Sequence, residues 1–123
     1  MRIGGTAFVL GGGGVLGAVQ LGMVRALAEA GVRPDLVVGT SVGALNGAVV
    51  AALPPDVAPD RLEAAWSSAD ARELFGGGAV SRLRQFARTG VAAHSAEPLR
   101  RMAASLLGER RIEDLPVRFS CCA

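Results

Sequence analysis

Residues 36–45, LVVGTSVGAL, place a single serine between two glycines where one apolar run meets the next. Gly39-Thr40-Ser41-Val42-Gly43 fits G-x-S-x-G, a pattern whose chemistry is nucleophilic attack. A serine forced into a tight strand-to-helix turn presents its hydroxyl at the C-terminal edge of a sheet. Gly39 and Gly43 suit such an elbow, because the turn crowds backbone against backbone. The helix that follows brings the partial positive charge of its N-terminus to the reacting centre.

A second glycine run stands upstream, Gly12-Gly13-Gly14-Val15-Leu16-Gly17, within the loop 11–17. Two chemistries compete for it. Taken literally it is the G-x-G-x-x-G dinucleotide fingerprint, which needs an acidic residue at the end of the second strand to hold a ribose. That strand ends in Gly39-Thr40-Ser41, with no acid. The alternative is an oxyanion hole, in which consecutive backbone N–H groups face a developing negative oxygen, each worth about 3 kcal/mol in the transition state. Loops that follow parallel strands share one sheet edge, so this run and Ser41 can face each other. The oxyanion reading is the better one.

The elements that must position these loops are legible around them. Residues 6–10 are apolar and bounded by glycines, as a buried strand is, and 11–14 form a loop. Residues 18–30 have helical spacing, with Leu21, Val24, Leu27 and Ala28 on one side, Arg25 and Glu29 on another, and Gly31 as the C′ stop. Asp35 leads into a second strand ending at Gly39. Residues 42–53 then form a helix apolar almost all round, hence a core helix, which Pro54 and Pro55 end. Strand, helix, strand, helix at this spacing predicts an α/β fold with parallel strands and a right-handed crossover.

Further along, 60–69 read as a helix with Asp60 and Glu63 in capping-box spacing and Trp66 on the buried side. Residues 76–78 are a glycine break, and 81–89 a short basic amphipathic helix. Ser95 is placed to cap another helix, with Pro98 in its first turn, Leu99, Met102, Ala103, Leu106 and Leu107 at core spacing, and Gly108 closing it. Residues 115–123 read as a last strand.

Composition excludes several classes. The chain has 123 residues, the size of one domain, and is half apolar with 20% charged residues, which is globular rather than disordered. Its 13 basic residues are all arginine, they are scattered, and the net charge is only +2. With no tyrosine and few aromatics, the chain lacks the concentrated basic face and stacking platforms of nucleic-acid binders. Cys121 and Cys122 are adjacent, a poor geometry for bridging each other, and no spaced partners suggest a zinc site. They are expected as reduced thiols in a buried strand. The uncharged stretch 3–24 is too rich in glycine for a signal peptide, and 42–53 is too short to cross a bilayer. A soluble cytoplasmic protein without metal or cofactor is expected.

GGGVLGAVQLGMVRAL, followed downstream by GTSVGALNGA, resembles the N-terminal part of a patatin-like phospholipase. The resemblance is strong over 6–53 and rests on the order of elements beyond. It implies a serine lipid acyl hydrolase of three-layer α/β/α fold with a mainly parallel sheet and a Ser–Asp dyad. Residues 1–123 would be the N-terminal portion of that domain. By this resemblance Ser41 matches the nucleophile and Gly39 and Gly43 its elbow. Gly12, Gly13 and Gly14 match the oxyanion loop, with Gly17 completing it. One departure is Leu16, where many members carry Arg or Lys; backbone donors do not depend on that side chain.

The larger departure is that the family's dyad aspartate, in a D-G-G or D-G-A motif, is absent from the sequence. Asp35 starts the strand that Ser41 ends, roughly 20 Å off at about 3.3 Å per residue. Asp56 and Asp60 follow the far end of the helix that Ser41 begins, about 16 Å away at about 1.5 Å per residue. Asp114 precedes a strand that, if parallel, starts at the opposite edge, and nothing recommends Asp70. His94, the single histidine, reads as a solvated residue next to a helix cap. The expectation is a chain truncated at its C-terminal end that holds a nucleophile without a base, leaving Ser41 an unactivated alcohol.

Three functions are compatible with these residues. In the first, Ser41 attacks an acyl ester of a lipid and the glycine loop holds the oxyanion. Arg82, Arg84 and Arg88 would then rest on an anionic membrane surface, against the plainer reading of a solvated helix face. The second is a catalytically inactive lipid-binding or interaction module that keeps the elbow for structural reasons. The third is an acyltransferase, ranked last because those enzymes place His before the nucleophile, where this chain has Thr40.

Overall fold

The computed structural model describes residues 4–76 and 97–122. Three strands, β1 (Ala7–Leu10), β2 (Leu36–Thr40) and β3 (Arg118–Cys122), form one parallel sheet in that order. Val9 pairs with Val38, Val38 with Ser120, and Thr40 with Cys122. Helix α1 (Val19–Glu29) lies between β1 and β2, and α2 (Val42–Ala52) follows β2. Each connection therefore crosses over, and all three strands end at one edge of the sheet. That edge carries both glycine motifs.

α2 is the core. Ten of its eleven residues are buried, and it packs on all three strands. Gly47 lets it settle close: a Cβ there would lie 3.0 Å from Val37 and 3.1 Å from Phe119. The pleat explains which strand residues meet it. Phe8, Leu10, Val37 and Phe119 turn toward α2, whereas Val9 points the other way and is 75% exposed. Among the described residues, the helices cover one face of the sheet, giving two layers of an α/β fold.

Within the described residues the predicted elements are present with altered ends. The helix expected over 18–30 begins at Val19, because Gly14–Ala18 forms a tighter 3-10 turn. It stops as anticipated at Gly31 (φ 71°), where Gly31 and Val32 donate to the Ala28 and Leu27 carbonyls in a Schellman motif. The capping box is not formed. Helix α3 (Ala58–Trp66) starts earlier, with Val57 at its cap, and Asp60 and Glu63 instead accept from Arg25 of α1 at 2.9 and 2.8 Å. Ser68 ends that segment and caps α4 (Ala69–Phe75) by accepting from the Ala71 N–H. Trp66 is half-buried, stacked on Phe75 at 4.8 Å.

In α5 (Glu97–Leu107), Met102 and Leu106 are buried as expected, but Leu99 is 42% exposed. The helix turns its other flank to α4, where Arg101 binds Asp70 and Glu73. Gly108 (φ 61°) closes it. Cys121 and Cys122 are free thiols in β3, yet both are exposed rather than buried, since β3 is an edge strand among the described residues. Gly77, Gly78, the basic stretch with Arg82, Arg84 and Arg88, His94 and Ser95 lie outside the described residues. Among those described, no helix is long and apolar enough to cross a membrane.

The bond from Asp60 first, with Glu63 beside it, raises the Arg25 pKa, so this cation stays charged and the exposed link between α1 and α3 is open to screening by salt. Arg25→Ala is expected to lower the melting temperature slightly in dilute buffer. The difference should vanish in about 1 M salt, where the screening length is about 3 Å.

Candidate active site

Ser41 sits just past β2 with φ 52° and ψ −123°, and is the one non-glycine residue of positive φ among those described. Such a conformation costs about 1–3 kcal/mol and persists only where surrounding bonds impose it. Here they do. The Ser41 N–H donates to the Cys122 carbonyl of β3 at 3.0 Å, and the Ser41 carbonyl accepts from Ala44 at 2.8 Å and Leu45 at 3.3 Å. A serine at a helix N-cap ordinarily turns its hydroxyl back onto the first turn. Ser41 does not: its side chain makes no cap bond, is exposed, and has no hydrogen-bond partner among the described residues. The hydroxyl is left free.

The two elbow glycines meet different neighbours. A Cβ on Gly39 would run into the Gly43 carbonyl and lie 2.5 Å from the Ala44 Cα, so Gly39 allows the turn to close on itself. A Cβ on Gly43 would strike the Leu10 carbonyl and lie 2.5 Å from the Gly11 oxygen. Gly43 thus lets the first turn of α2 press against the end of β1.

That contact brings the glycine loop to the serine. A Cβ on Gly12 would stand 3.4 Å from the Ser41 Cβ and 3.5 Å from the Thr40 carbonyl. Gly13 (φ 151°) and Gly14 (φ 58°) turn the chain in conformations that side chains disfavour. The N–H groups of Gly12 and Gly13 donate to nothing among the described residues. Gly17, in contrast, is buried behind the loop, where a Cβ would lie 2.7 Å from Val42 and 3.1 Å from Trp66.

Sequence reasoning missed two polar side chains, Gln20 and Asn46, that gather here with Trp66. Asn46, in α2, is fully buried; its Nδ2 donates to the Gly17 carbonyl at 3.1 Å and to Gln20 Oε1 at 2.9 Å. Its Oδ1 accepts from Trp66 Nε1 at 3.0 Å, and Gln20 Nε2 donates to the Gly11 carbonyl at 2.8 Å. The available signal was one amide inside an otherwise apolar core helix, since a buried polar group needs partners.

The aspartates are placed elsewhere. Asp35 accepts from the Thr6 N–H at the N-terminal edge of the sheet, a strand length from Ser41. Asp60 holds Arg25 and Asp70 holds Arg101. Asp114 precedes β3, whose parallel direction puts it at the far edge, and Asp56 follows the far end of α2. Among the described residues there is no cluster of His, Cys, Asp or Glu that could hold a metal.

Comparison with protein families matches residues 8–122 to the patatin-like phospholipase model, nearly the whole chain. The chain belongs to that family. Among curated patatin-like relatives, a patatin-like phospholipase domain-containing protein of Caenorhabditis elegans (ZK370.4) is 48% identical over 58 residues, 47% of this chain and 4% of that protein. Patatin-like phospholipase domain-containing protein 7 of Mus musculus is 58% identical over 45 residues, 37% of this chain and 3% of its own. Lysophospholipase nte1 of Aspergillus terreus is 56% identical over 43 residues, 35% of this chain and 3% of its own. The matched stretch thus spans a few hundredths of these relatives' length. No solved structure matches the chain.

Proposed function

We propose that this chain carries the nucleophile and oxyanion loop of a serine lipid acyl hydrolase. In this reading the Ser41 Oγ bonds to the carbonyl carbon of a lipid acyl ester, and N–H groups of Gly12, Gly13 and Gly14 hold the resulting oxyanion. The lipid alcohol leaves with a proton, and water then releases the acyl group from Ser41. The observation that carries it is Ser41 itself: an exposed, unbonded hydroxyl on a strained backbone, next to a loop in which the Gly12 and Gly13 N–H groups have no acceptor among the described residues. Family membership and the names of the relatives favour a lipid ester as substrate.

Since no aspartate among the described residues approaches Ser41, the 123-residue chain is expected to turn over lipid esters negligibly. Reactivity toward a strong electrophile survives loss of a base, because the oxyanion donors remain. A fluorophosphonate tests this: Ser41 Oγ bonds to phosphorus, fluoride leaves, and solvent takes the proton. The chain has seven serines, so mapping the labelled peptides provides internal controls. Ser41 is expected to react about 100-fold faster than the others, the effect of roughly one oxyanion donor. Gly12→Ala should fold normally, its Cβ meeting only ordinary contacts, and lose that selectivity by filling the space over Ser41. Equal labelling of all serines would overturn the hydrolase reading in favour of an inactive binding module.

A further inference from the structure

We infer that Gln20 and Asn46 are positioning residues that clamp the glycine loop; the catalytic consequence of this rests on the proposed function, the clamp itself does not. Glycine loops lose the most chain entropy on ordering, and the two side chains of this one, Val15 and Leu16, are exposed rather than packed. Beyond the internal bond from the Leu16 N–H to the Gly13 carbonyl, its restraint comes from its two ends. The Gly11 carbonyl accepts from Gln20 Nε2, and the Gly17 carbonyl accepts from Asn46 Nδ2. Gln20 Oε1 accepts the other Asn46 Nδ2 bond, joining the two supports. Asn46 stands on α2, the helix that begins beside Ser41, so loop and nucleophile share one rigid support.

The direction of every bond in this relay follows from Trp66. An indole N–H can only donate, so it selects Oδ1 of Asn46 as the atom facing it. Nδ2 must then point to Gly17 and Gln20. Gln20 in turn must present Oε1 to Asn46, leaving Nε2 for Gly11. No buried side-chain polar atom among the described residues is left without a partner. The relay uses carbonyls at the ends of the loop and leaves the Gly12 and Gly13 N–H groups between them free, as an anion site requires.

The test is Gln20→Leu in the 123-residue chain, with Gln20→Met as a second variant keeping an unbranched stem. Backbone ¹⁵N order parameters of Gly12, Gly13 and Gly14 are expected near the rigid value of about 0.85 in the parent and below about 0.6 in the variants. Those of β2 and α2 should be unchanged. The maximal rate of Ser41 phosphonylation should fall about tenfold, a typical size for a supporting-shell partner, with the half-saturating reagent concentration unchanged. Order parameters unaltered at the three glycines, or lowered equally throughout the chain, would overturn the clamp. Should Ser41 of the parent prove unreactive, the proposed function fails while the order parameters still decide this inference.

Discussion

Gly43→Ala is expected to destabilise the protein by about 2 kcal/mol or more, although alanine is the better helix former. Two effects oppose each other. Replacing glycine inside a helix gains about 1 kcal/mol of propensity. Against this, the added Cβ would strike the Leu10 carbonyl and approach the Gly11 oxygen to 2.5 Å, and both are backbone atoms that cannot rotate away. Overpacking of this kind costs about 3 kcal/mol where the neighbours are rigid, so the clash wins. Gly22→Ala is the control. It lies in α1, and its Cβ would meet nothing within 4 Å, so propensity alone acts and stability should rise by up to about 1 kcal/mol. Urea denaturation followed by circular dichroism reads both, with an expected loss of about 1 M in midpoint for Gly43→Ala. A midpoint equal to the parent's would mean that α2 does not press on the end of β1.

Ser41→Gly should move stability the other way. Ser41 holds φ 52° and ψ −123°, a region open to glycine and strained by about 1–3 kcal/mol for other residues. Glycine relieves the strain but loses about 0.5–1 kcal/mol through the freedom of its unfolded chain. Ser41→Ala removes the same hydroxyl and keeps the strain. The informative quantity is therefore the difference between the two variants, expected at about 1–2 kcal/mol in favour of glycine. Both should abolish phosphonylation at position 41. A glycine variant no more stable than the alanine variant would show that the elbow stores no strain.

Most of the framework around Ser41 was legible because it is encoded in short-range spacing. An apolar run that stops at glycine, a helix without charges, and two glycines around one serine all declare themselves within a dozen residues. The parallel pairing of β1 with β2 follows from the crossover between them, and it brings the two glycine motifs to one edge. Close approach at Gly39 and Gly43 was also implied, because only a crowded turn has use for both.

What the local pattern could not determine is which distant group each polar side chain meets. Asp60 and Glu63 have the spacing of a capping box, yet α1 brings Arg25 within reach and the carboxylates bind it instead. Leu99 has core spacing, but the packing of α5 on α4 turns it outward. Cys121 and Cys122 lie in a strand as expected, and only sheet order exposes them. The relay from Trp66 through Asn46 and Gln20 joins residues 20 and 26 positions apart. Glycine spacing, helix periodicity and the strand-to-helix turn at Ser41 were thus determined by the sequence alone, since each acts between near neighbours. The support beneath the glycine loop was decided by tertiary structure, because a hydrogen bond depends on angles and distances that exist only once three helices have packed.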